Sequence, residues 1–307
     1  MRHKGKSSKA SGASGASAAR TASKARKARC MVLLLFLIIV MLIIILLLFP
    51  RAEKKPEPVE EKELAPAAVP PEKAVEWSYI SLVIDDAGYN MINLIELLKL
   101  PAAFTVSVLP GLPMSREAAR EVTKAGKEVI LHCPMEALSG EDPGPGAILS
   151  THHAEEIDTI LSSNFSFVPG AAGTNNHMGS KVTPDQRVMA EVMLYLKNHN
   201  KFFLDSKTTA DSVARQEALK LGVPYLARDV FLDNDPQREA VKQQFLKGME
   251  IAGSQGSAVL IGHAQNPAVA EVLAELYPLL GERRIKMITL NKLLFLKGII
   301  ANDNSGD

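Results

Sequence analysis

Two adjacent aspartates, Asp85 and Asp86, end an apolar run that starts at Tyr79, and Gly88 follows them closely. A short continuous apolar run predicts a strand that is buried on both faces. Adjacent strand residues point to opposite faces, so the two carboxylates can hold different roles only if the strand is ending there. Carboxylates in such a place need water, a metal ion or a positive partner. A solvated turn explains the pair equally well, so the pair alone does not establish a site.

Three histidines follow at or just after the ends of further predicted strands: His132, His177 and His263. A single histidine in that position is more often a hydrogen-bonded structural residue than a ligand. Three of them, together with the aspartate pair and Asp205, favour a metal site. One aspartate and two histidines are a sound ligand set for catalytic Zn²⁺ and leave a position open for water. A neighbouring carboxylate can then act as general base.

Other catalytic motifs are missing from the sequence. No Gly-x-Ser-x-Gly segment is present, and Ser81 lies inside a predicted strand. The glycines between 140 and 146 are not followed by Lys-Ser or Lys-Thr, which excludes a phosphate-binding loop there. Cys133 is better explained as a buried thiol than as a nucleophile.

The residues that position these groups alternate between apolar strands and amphipathic helices. Strands are predicted at 79–86, 102–109, 128–133, 167–173, 201–205, 223–228 and 257–262, with a weaker one near 286–290. A helix is predicted at 186–198, where Thr183 precedes Pro184 and Gln186 completes a capping box. This alternation implies a parallel sheet with right-handed crossovers.

Such a sheet forms either a barrel or an open doubly wound fold. Polar groups occur at nearly every predicted strand end, namely Asp85-Asp86, His132, Asn175-Asn176-His177, Asp205, Arg228-Asp229 and His263. In a βα barrel the C-terminal strand ends converge on one mouth, whereas an open sheet gathers only those near its switch point. The pattern favours a closed or nearly closed barrel.

The N-terminal part predicts a membrane anchor. Residues 1–30 contain lysine and arginine but no acidic residue, which predicts a basic, disordered cytoplasmic tail. Residues 31–49 are apolar without a break and, at roughly 1.5 Å per residue, can cross a bilayer core of about 30 Å. No small-residue cleavage site follows closely, so we expect an uncleaved, single-pass signal anchor in the inner membrane. The basic residues before it keep the N-terminus cytoplasmic and place the globular domain in the periplasm.

A Pro-, Glu- and Lys-rich linker at 50–76 separates this anchor from a globular domain predicted at 77–297, and a disordered tail follows at 298–307. Cys133 is the only cysteine of the domain, so it forms no internal disulfide. The net charge of +1 gives no reason to expect a nucleic-acid partner.

Five segments stand out in chain order: IDDAG at 84–88, LHCPME at 131–136, GTNNHMGS at 173–180, FLDSKT at 203–208 and IGHA at 261–264. Together they resemble the divergent polysaccharide deacetylase family over roughly residues 78–296, with GTNNHMGS as the most specific piece. That family belongs to the NodB-like glycoside hydrolase/deacetylase group. The resemblance implies an irregular (β/α) barrel of about seven strands and a divalent metal ion, usually zinc.

The resemblance to typical deacetylases also implies roles for single residues. Asp85 is expected to be the general base and Asp86 a metal ligand, with His132 as the first metal-binding histidine. The typical pattern has a second histidine where this chain has Glu136, and His177 is the natural replacement. His263 resembles the late histidine that protonates the leaving amine.

A further set is expected to contact substrate or to support the ligands: Asn175, Asn176, Asp205, Glu136 and Arg228. The two asparagines fall near the place of the Arg-Pro-Pro-Tyr-Gly-type motif of typical deacetylases, which has no counterpart here.

The resemblance, taken together with the predicted anchor, implies a membrane-anchored, metal-dependent deacetylase acting on N-acetylated envelope polysaccharide or peptidoglycan. Two alternatives stay open. The domain could be a non-catalytic polysaccharide-binding or scaffold module on the same barrel, which the departures from the typical motifs favour. It could also hydrolyse another bond, such as a phosphoester, at the same metal.

Overall fold

The computed structural model describes residues 76–300 and, in a separate N-terminal unit, helical residues between Met31 and Ile44. The two compact units are Met1–Pro70 and Pro71–Asp307. Among the described residues, no helix is both long and apolar enough to cross a membrane. Part of the predicted anchor at 31–49 lies outside the described residues, as do the basic tail, nearly all of the linker and residues 301–307. The anchor therefore stays a prediction.

The described globular unit contains one parallel sheet. Its strands are β1 (Ser78–Ala87), β2 (Thr105–Val108), β3 (Glu128–Met135), β4 (Gly173–Met178), β5 (Phe202–Asp205), β6 (Tyr225–Ala227), β7 (Val230–Phe231), β8 (Ser257–His263) and β9 (Ile285–Met287). They follow the order β6-β5-β4-β3-β2-β1-β8-β7, and β9 pairs with the start of β1. The predicted parallel α/β sheet is confirmed.

One segment, residues 225–231, belongs to both edges of this sheet, and we call it the closing segment. Its first half, β6, pairs with β5, and its second half, β7, pairs with β8. Between them, the amide of Arg228 donates to the Asp205 carbonyl at 3.0 Å, whereas the amide of Asp229 donates to the Val259 carbonyl at 2.8 Å. The sheet is therefore curled, and the closing segment contacts both of its edges.

The helices are α1 (Ile92–Leu98), α2 (Ser115–Lys124), α3 (Ala154–Phe167), α4 (Gln186–Asn198), α5 (Ala214–Leu221), α6 (Arg238–Gln255), α7 (Pro267–Leu276) and α8 (Leu290–Leu296). The larger apolar core, between sheet and helices, includes Leu82 and Ile84 of β1. A smaller core on the inner face of the curl packs Val83 and Ile261 against leucines of α8. Strand β1 is thus buried on both faces, as its continuous apolar run predicts.

The predicted strand at 167–173 is wrong. Helix α3 continues to Phe167, and β4 begins only at Gly173. Phe165 and Phe167 belong to the helix, and their apolar side chains pack against the larger core. The sequence of β4 itself, GTNNHM, is mostly polar although its first four residues are buried. The prediction, which relied on apolar residues, therefore selected the segment that precedes β4.

Helix α4 has the predicted bounds but a different cap. Its N-cap is Asp185, whose carboxylate accepts hydrogen bonds from the amides of Arg187 and Val188. Thr183 is buried, and its hydroxyl donates to the Gly179 carbonyl at 2.9 Å. The Thr-Pro pair therefore ends the loop after β4, and Asp185 begins the helix.

Candidate metal centre and active site

On the inner face, three strands change from apolar to polar near their C-terminal ends. The successive inward residues are Val83 and Asp85 on β1, Ile130 and His132 on β3, and Ile261 and His263 on β8. Asp85 is the register partner of His263, and His132 is the register partner of Asn175. The polar side chains therefore form one layer at the C-terminal mouth of the sheet.

Strand β1 brings both aspartates to this mouth because its regular geometry breaks between them. The pairing of β1 with β2 shifts register between Ile84 and Ala87, and Asp86 has a left-handed backbone with a φ of 61°. In a regular strand the side chains of Asp85 and Asp86 would point to opposite faces. The irregularity turns Asp86 toward the polar layer. Such strained backbone conformations of non-glycine residues cluster at functional sites.

The Asp86 carboxylate and the rings of His132 and His177 meet at one point, which we call the metal group. Asp86 Oδ1 lies 3.0 Å from His132 Nε2 and 3.0 Å from His177 Nδ1, and the two ring nitrogens are 3.2 Å apart. The structure thus brings together the three residues that we predicted as metal ligands. Asp86 Oδ1 is buried, and neither ring nitrogen has hydrogen-bonding geometry toward it.

The metal group fits a divalent cation. Two tetrahedral ligands that are each about 2.1 Å from one ion lie roughly 3.4 Å apart, close to the separations observed here. Burial alone would raise the pKa of Asp86, but His132 and His177 hold it below its usual value. A buried, ionised carboxylate oxygen without a hydrogen bond needs a cation beside it. Carboxylate and imidazole together are donors that Zn²⁺ accepts.

Asn175 determines which ring nitrogen of His132 faces the metal group. Its amide oxygen lies 2.7 Å from His132 Nδ1, and an amide oxygen can only accept a hydrogen bond. Nδ1 therefore carries a proton, so Nε2 is the ring nitrogen left to face a metal ion. Burial lowers the pKa of His132, but Asp85 and Asp86 more than offset this and raise it. The Ser107 hydroxyl also donates to the Asn175 amide oxygen, which fixes the orientation of the amide.

Asp85 lies beside the metal group but is held by a different partner. Its buried carboxylate accepts hydrogen bonds from the Asn175 amide nitrogen at 2.9 and 3.1 Å, and one oxygen is 3.7 Å from His132 Nε2. Burial raises the pKa of Asp85 above its ordinary value, although His132 and Asn175 act in the opposite direction. A raised pKa makes this carboxylate a better proton acceptor near neutral pH.

His263 lies near the second oxygen of the Asp86 carboxylate. Its Nε2 lies 3.9 Å from Asp86 Oδ2, and its Nδ1 lies 3.1 Å from an oxygen of Asp233. Burial lowers the pKa of His263, but Asp233, Asp86 and Asp85 more than offset this and raise it to about 9. His263 therefore holds a proton at neutral pH that it can donate.

A cavity of about 530 Å³ opens beside His263, and we call it the histidine cavity. Its walls include Asp86, Tyr89, Asp233, Gln265 and Asn266. Its volume lies in the range of small-ligand sites. A group bound in it would contact both Asp86 and His263.

The two predicted asparagines serve different purposes. Asn175 contacts Asp85 and His132 directly, as described above. Asn176 supports the loop after β5, because its amide oxygen accepts from the Ser206 amide at 2.9 Å while its amide nitrogen donates to the Met178 carbonyl at 2.8 Å. Asn175 therefore positions site residues, whereas Asn176 joins the ends of β4 and β5.

Glu136 replaces the second histidine of typical deacetylases but is not part of the metal group. Its carboxylate contacts the Lys181 ammonium at 2.6 Å and accepts from the amide and hydroxyl of Ser150 at 2.8 and 2.7 Å. Asp205 and Arg228, also predicted from sequence, line a second cavity at the ends of β5 and β6.

Two contributing residues, Asp233 and Ser107, were not predicted. Asp233 follows the two-residue strand β7 within the polar run Asp233-Asn234-Asp235, which is typical of a solvated loop. The signal for Ser107 was a polar residue between two valines of a fully buried strand, where its side chain must find a buried partner.

Fold and site together define a polysaccharide-deacetylase-like α/β protein, with a curled parallel sheet and an Asp–His–His group at its C-terminal mouth. The sequence pattern of the divergent polysaccharide deacetylase family matches residues 82–294, and the chain belongs to this family.

Two relatives and one solved structure illustrate the similarity. The uncharacterized protein YibQ of Escherichia coli K12 is 37% identical over 197 residues, which cover 64% of this chain and 61% of YibQ, less than two thirds of its length. An uncharacterized protein of Haemophilus influenzae is 32% identical over 199 residues, 65% of this chain and 71% of that protein. The crystal structure of the uncharacterized protein ATU2773 from Agrobacterium tumefaciens C58 shares the fold, with a TM-score of 0.67 and 20% identity over 73% of this chain and 92% of that chain.

Proposed function

We propose that this protein is a metal-dependent N-deacetylase that removes acetyl groups from cell-envelope polysaccharide. One observation carries the proposal: a buried carboxylate with a raised pKa and a protonated histidine occupy register-paired positions at the metal group. Hydrolysis of an amide needs one group that takes a proton and one that gives a proton. Membership of the divergent polysaccharide deacetylase family supports a glycan substrate.

Asp86, His132 and His177 would hold the metal ion, and zinc suits this donor set. When bound, such an ion lowers the pKa of water and polarises a carbonyl group. Asn175 keeps the His132 ring in the tautomer and orientation that this requires.

Asp85 is the proposed general base. It takes a proton from the water molecule whose oxygen attacks the acetyl carbonyl carbon. Its two hydrogen bonds from Asn175 hold the carboxylate in place beside the metal group. Burial, which raises its pKa, favours the proton transfer because the neutral form of the acid is stabilised.

His263 is the proposed general acid. It gives its Nε2 proton to the departing nitrogen as the carbon–nitrogen bond breaks, so the products are acetate and a free amine. Asp233 holds the opposite nitrogen of the ring and stabilises the protonated form. The histidine cavity would accommodate the sugar that carries the acetamido group.

The place of action is also part of the proposal. The apolar run at 31–49 would anchor the chain in the inner membrane with its basic N-terminus in the cytoplasm. The globular unit would then face the periplasm, where the linker allows it to reach cell-wall polysaccharide or peptidoglycan.

The test is acetate release from N-acetylated oligosaccharides by the full chain loaded with zinc. Asp85→Asn keeps the side-chain shape and removes the base, so we expect roughly a 10²- to 10⁴-fold loss of turnover with unchanged metal content. The matched control is Asp158→Asn on the exposed surface of α3, which should retain full activity. Turnover by Asp85→Asn at the wild-type rate would refute the assignment of the base.

A non-catalytic polysaccharide-binding module is the second candidate. It is favoured by Glu136, which stands at the place of a typical metal ligand and binds Lys181 and Ser150 instead. Oligosaccharide binding by wild-type protein without acetate release, at full zinc occupancy, would establish this candidate over the hydrolase.

A further inference from the structure

A second cavity, of about 550 Å³, lies at the C-terminal ends of β5 and β6. Three of its wall residues are cationic, namely Lys207, Arg215 and Arg228, and we call it the cationic cavity. Hydroxyl groups of threonine, serine and tyrosine complete much of its remaining lining. Ammonium, guanidinium and hydroxyl donors together are the groups that bind carboxylates and phosphates.

The one carboxylate in the wall, Asp205, is already occupied by neutral donors. It accepts from the Lys207 amide at 2.8 Å, the Ser212 hydroxyl at 2.8 Å and the Tyr225 hydroxyl at 3.1 Å. Within residues 76–300, no carboxylate oxygen lies within ion-pairing distance of the three cationic side chains. Lys207 and Arg215 are exposed and have no direct ion-pair partner within this unit. Arg228 has none either, although nearby aspartates, Asp205 among them, act on it at longer range.

Arg228 is held in a fixed position at the edge of the cationic cavity. Its Nε donates to the Ser206 carbonyl at 2.7 Å and its Nη2 to the Lys207 carbonyl at 3.0 Å. Its guanidinium carbon lies 4.9 Å from the centre of the Phe231 ring. A guanidinium that is ordered before binding loses less conformational entropy when it engages an anion.

The loop that carries Lys207 is also held in place. Lys207 has a left-handed backbone with a φ of 50°, and the Thr208 hydroxyl donates to the Met178 carbonyl at 2.8 Å. The preceding residue, Ser206, lies 3.2 Å from the Asn175 amide nitrogen that holds Asp85. Ser206, which lies between two wall residues of the cationic cavity, is therefore linked through Asn175 to the proposed base.

We propose that the cationic cavity binds an anionic substituent, a carboxylate or a phosphate, on the glycan whose acetamido group is hydrolysed. This inference rests on the proposed function, because it assigns a charged glycan to the same mouth. A neutral polymer would leave the three cations without a counterion from the substrate. The substrate is then an acidic N-acetylated polysaccharide.

Binding can be measured by calorimetry with the zinc-loaded full chain carrying Asp85→Asn, so that turnover does not interfere. The probes are N-acetylated oligosaccharides of one length, bearing a carboxylate, its methyl ester, or a phosphate. We expect the charged probes to bind about tenfold more tightly than the methyl ester. In a Lys207→Gln/Arg215→Gln double variant, the ratio should fall to about one. Lys247→Gln, on the exposed surface of α6, should keep the original ratio.

Each outcome has a distinct meaning. Equal affinity for the charged probes and the methyl ester, or an unchanged ratio in the double variant, would overturn the anion site. A difference between the two charged probes identifies which anion the cavity takes. Acetate release by wild-type protein is recorded separately with the same probes. Selective binding of the charged probes without acetate release would uphold the anion site and reject the deacetylase. Acetate release from all probes at equal rates, with equal affinities, would uphold the deacetylase and reject the anion site.

Discussion

Two histidines lie near the Asp86 carboxylate, and the proposed function gives them different tasks, one as a metal ligand and one as a general acid. On the metal side, His132 Nε2 lies 3.0 Å from Asp86 Oδ1, and its far nitrogen meets the Asn175 amide. On the acid side, His263 Nε2 lies 3.9 Å from Asp86 Oδ2, and its far nitrogen meets the Asp233 carboxylate. The two sides differ chiefly in the partner of the far nitrogen.

In each histidine, the partner of Nδ1 influences the role that Nε2, the nitrogen closer to Asp86, can have. A neutral amide oxygen fixes a proton on Nδ1 of His132 and leaves Nε2 as the nitrogen that faces the cation that the metal group would hold. A carboxylate stabilises the doubly protonated ring, so His263 retains its proton. Exposure adds to the difference, since the side chain of His132 is 3% exposed and that of His263 is 31% exposed. The positions of His132 and His263 at strand ends would not, by themselves, distinguish a metal ligand from a general acid.

The largest expected effect distinguishes the two sides by metal content. His177→Ala should lower zinc affinity by more than about 100-fold, because it removes one of three protein ligands. His263→Ala should keep zinc while turnover falls. Metal analysis after dialysis, with circular dichroism to verify folding, gives the readout. Full zinc content in His177→Ala would remove this residue from the ligand set.

The next effect concerns the acid side alone. Asp233→Asn should lower the pKa of His263 from about 9, because the charge that stabilises the imidazolium is removed while Asp86 and Asp85 remain. The proton is then lost at lower pH, so the alkaline limb of the activity profile should move to lower pH and turnover should fall by about 100-fold. Titration of the His263 ring by NMR checks the shift. An unchanged pKa would mean that Asp233 does not control the proton.

A smaller effect is expected when the amide on the metal side is removed. Asn175→Ala leaves Asp85 without its donor and His132 without its acceptor. Loss of such an orienting partner typically weakens metal binding 10- to 100-fold. Competition with a zinc chelator measures this change. Asn176→Ala is the matched control, since its amide holds a loop and should leave zinc affinity within severalfold of wild type.

The smallest effect is expected at Glu136, which belongs to neither side. Hydrogen bonds from Lys181 and Ser150 lower the pKa of Glu136 to about 2. A depressed folded-state pKa gives stability above the unfolded-state pKa, and this stability is lost as pH falls toward 2. Glu136→Gln should therefore cost at most about 1 kcal/mol at pH 7, since the ion pair is solvent-screened, and the two proteins should converge at acid pH. Thermal unfolding across pH is the measurement, and any loss of zinc in Glu136→Gln would contradict the assignment.

The metal side was more predictable from sequence than the acid side. Asp86, His132 and His177 lie near the C-terminal ends of parallel strands, which must converge, so residue type and position placed them in one larger set of aspartates and histidines. The choice of these three as the ligands depended on the resemblance to the deacetylase family. The apolar run of β1 was equally clear. Asp233 follows a strand of only two residues, and its contact with His263 depends on the closing segment pairing with β8. Such a tertiary arrangement leaves no periodic signal in the sequence.

Strand β4 shows why polar strands at a site escape prediction. Its buried residues Thr174, Asn175 and Asn176 find side-chain and backbone partners inside the protein. Sequence patterns assume that buried strands are apolar, and hydrogen-bonded polar strands violate that assumption. The buried polar residues that caused the strand to be predicted in the wrong place include Asn175, which orients the site.

The closing segment, together with the two residues after it, also connects the two proposed substrate-binding cavities. Arg228 precedes β7 and Asp233 follows it, so a few residues of one backbone connect the wall of the cationic cavity with the partner of His263. A change in the length of this stretch would displace both groups relative to each other. In the proposed function, this stretch would fix the spacing between a charge on the glycan and its acetamido nitrogen. We expect relatives with an insertion here to select polymers with a different repeat spacing.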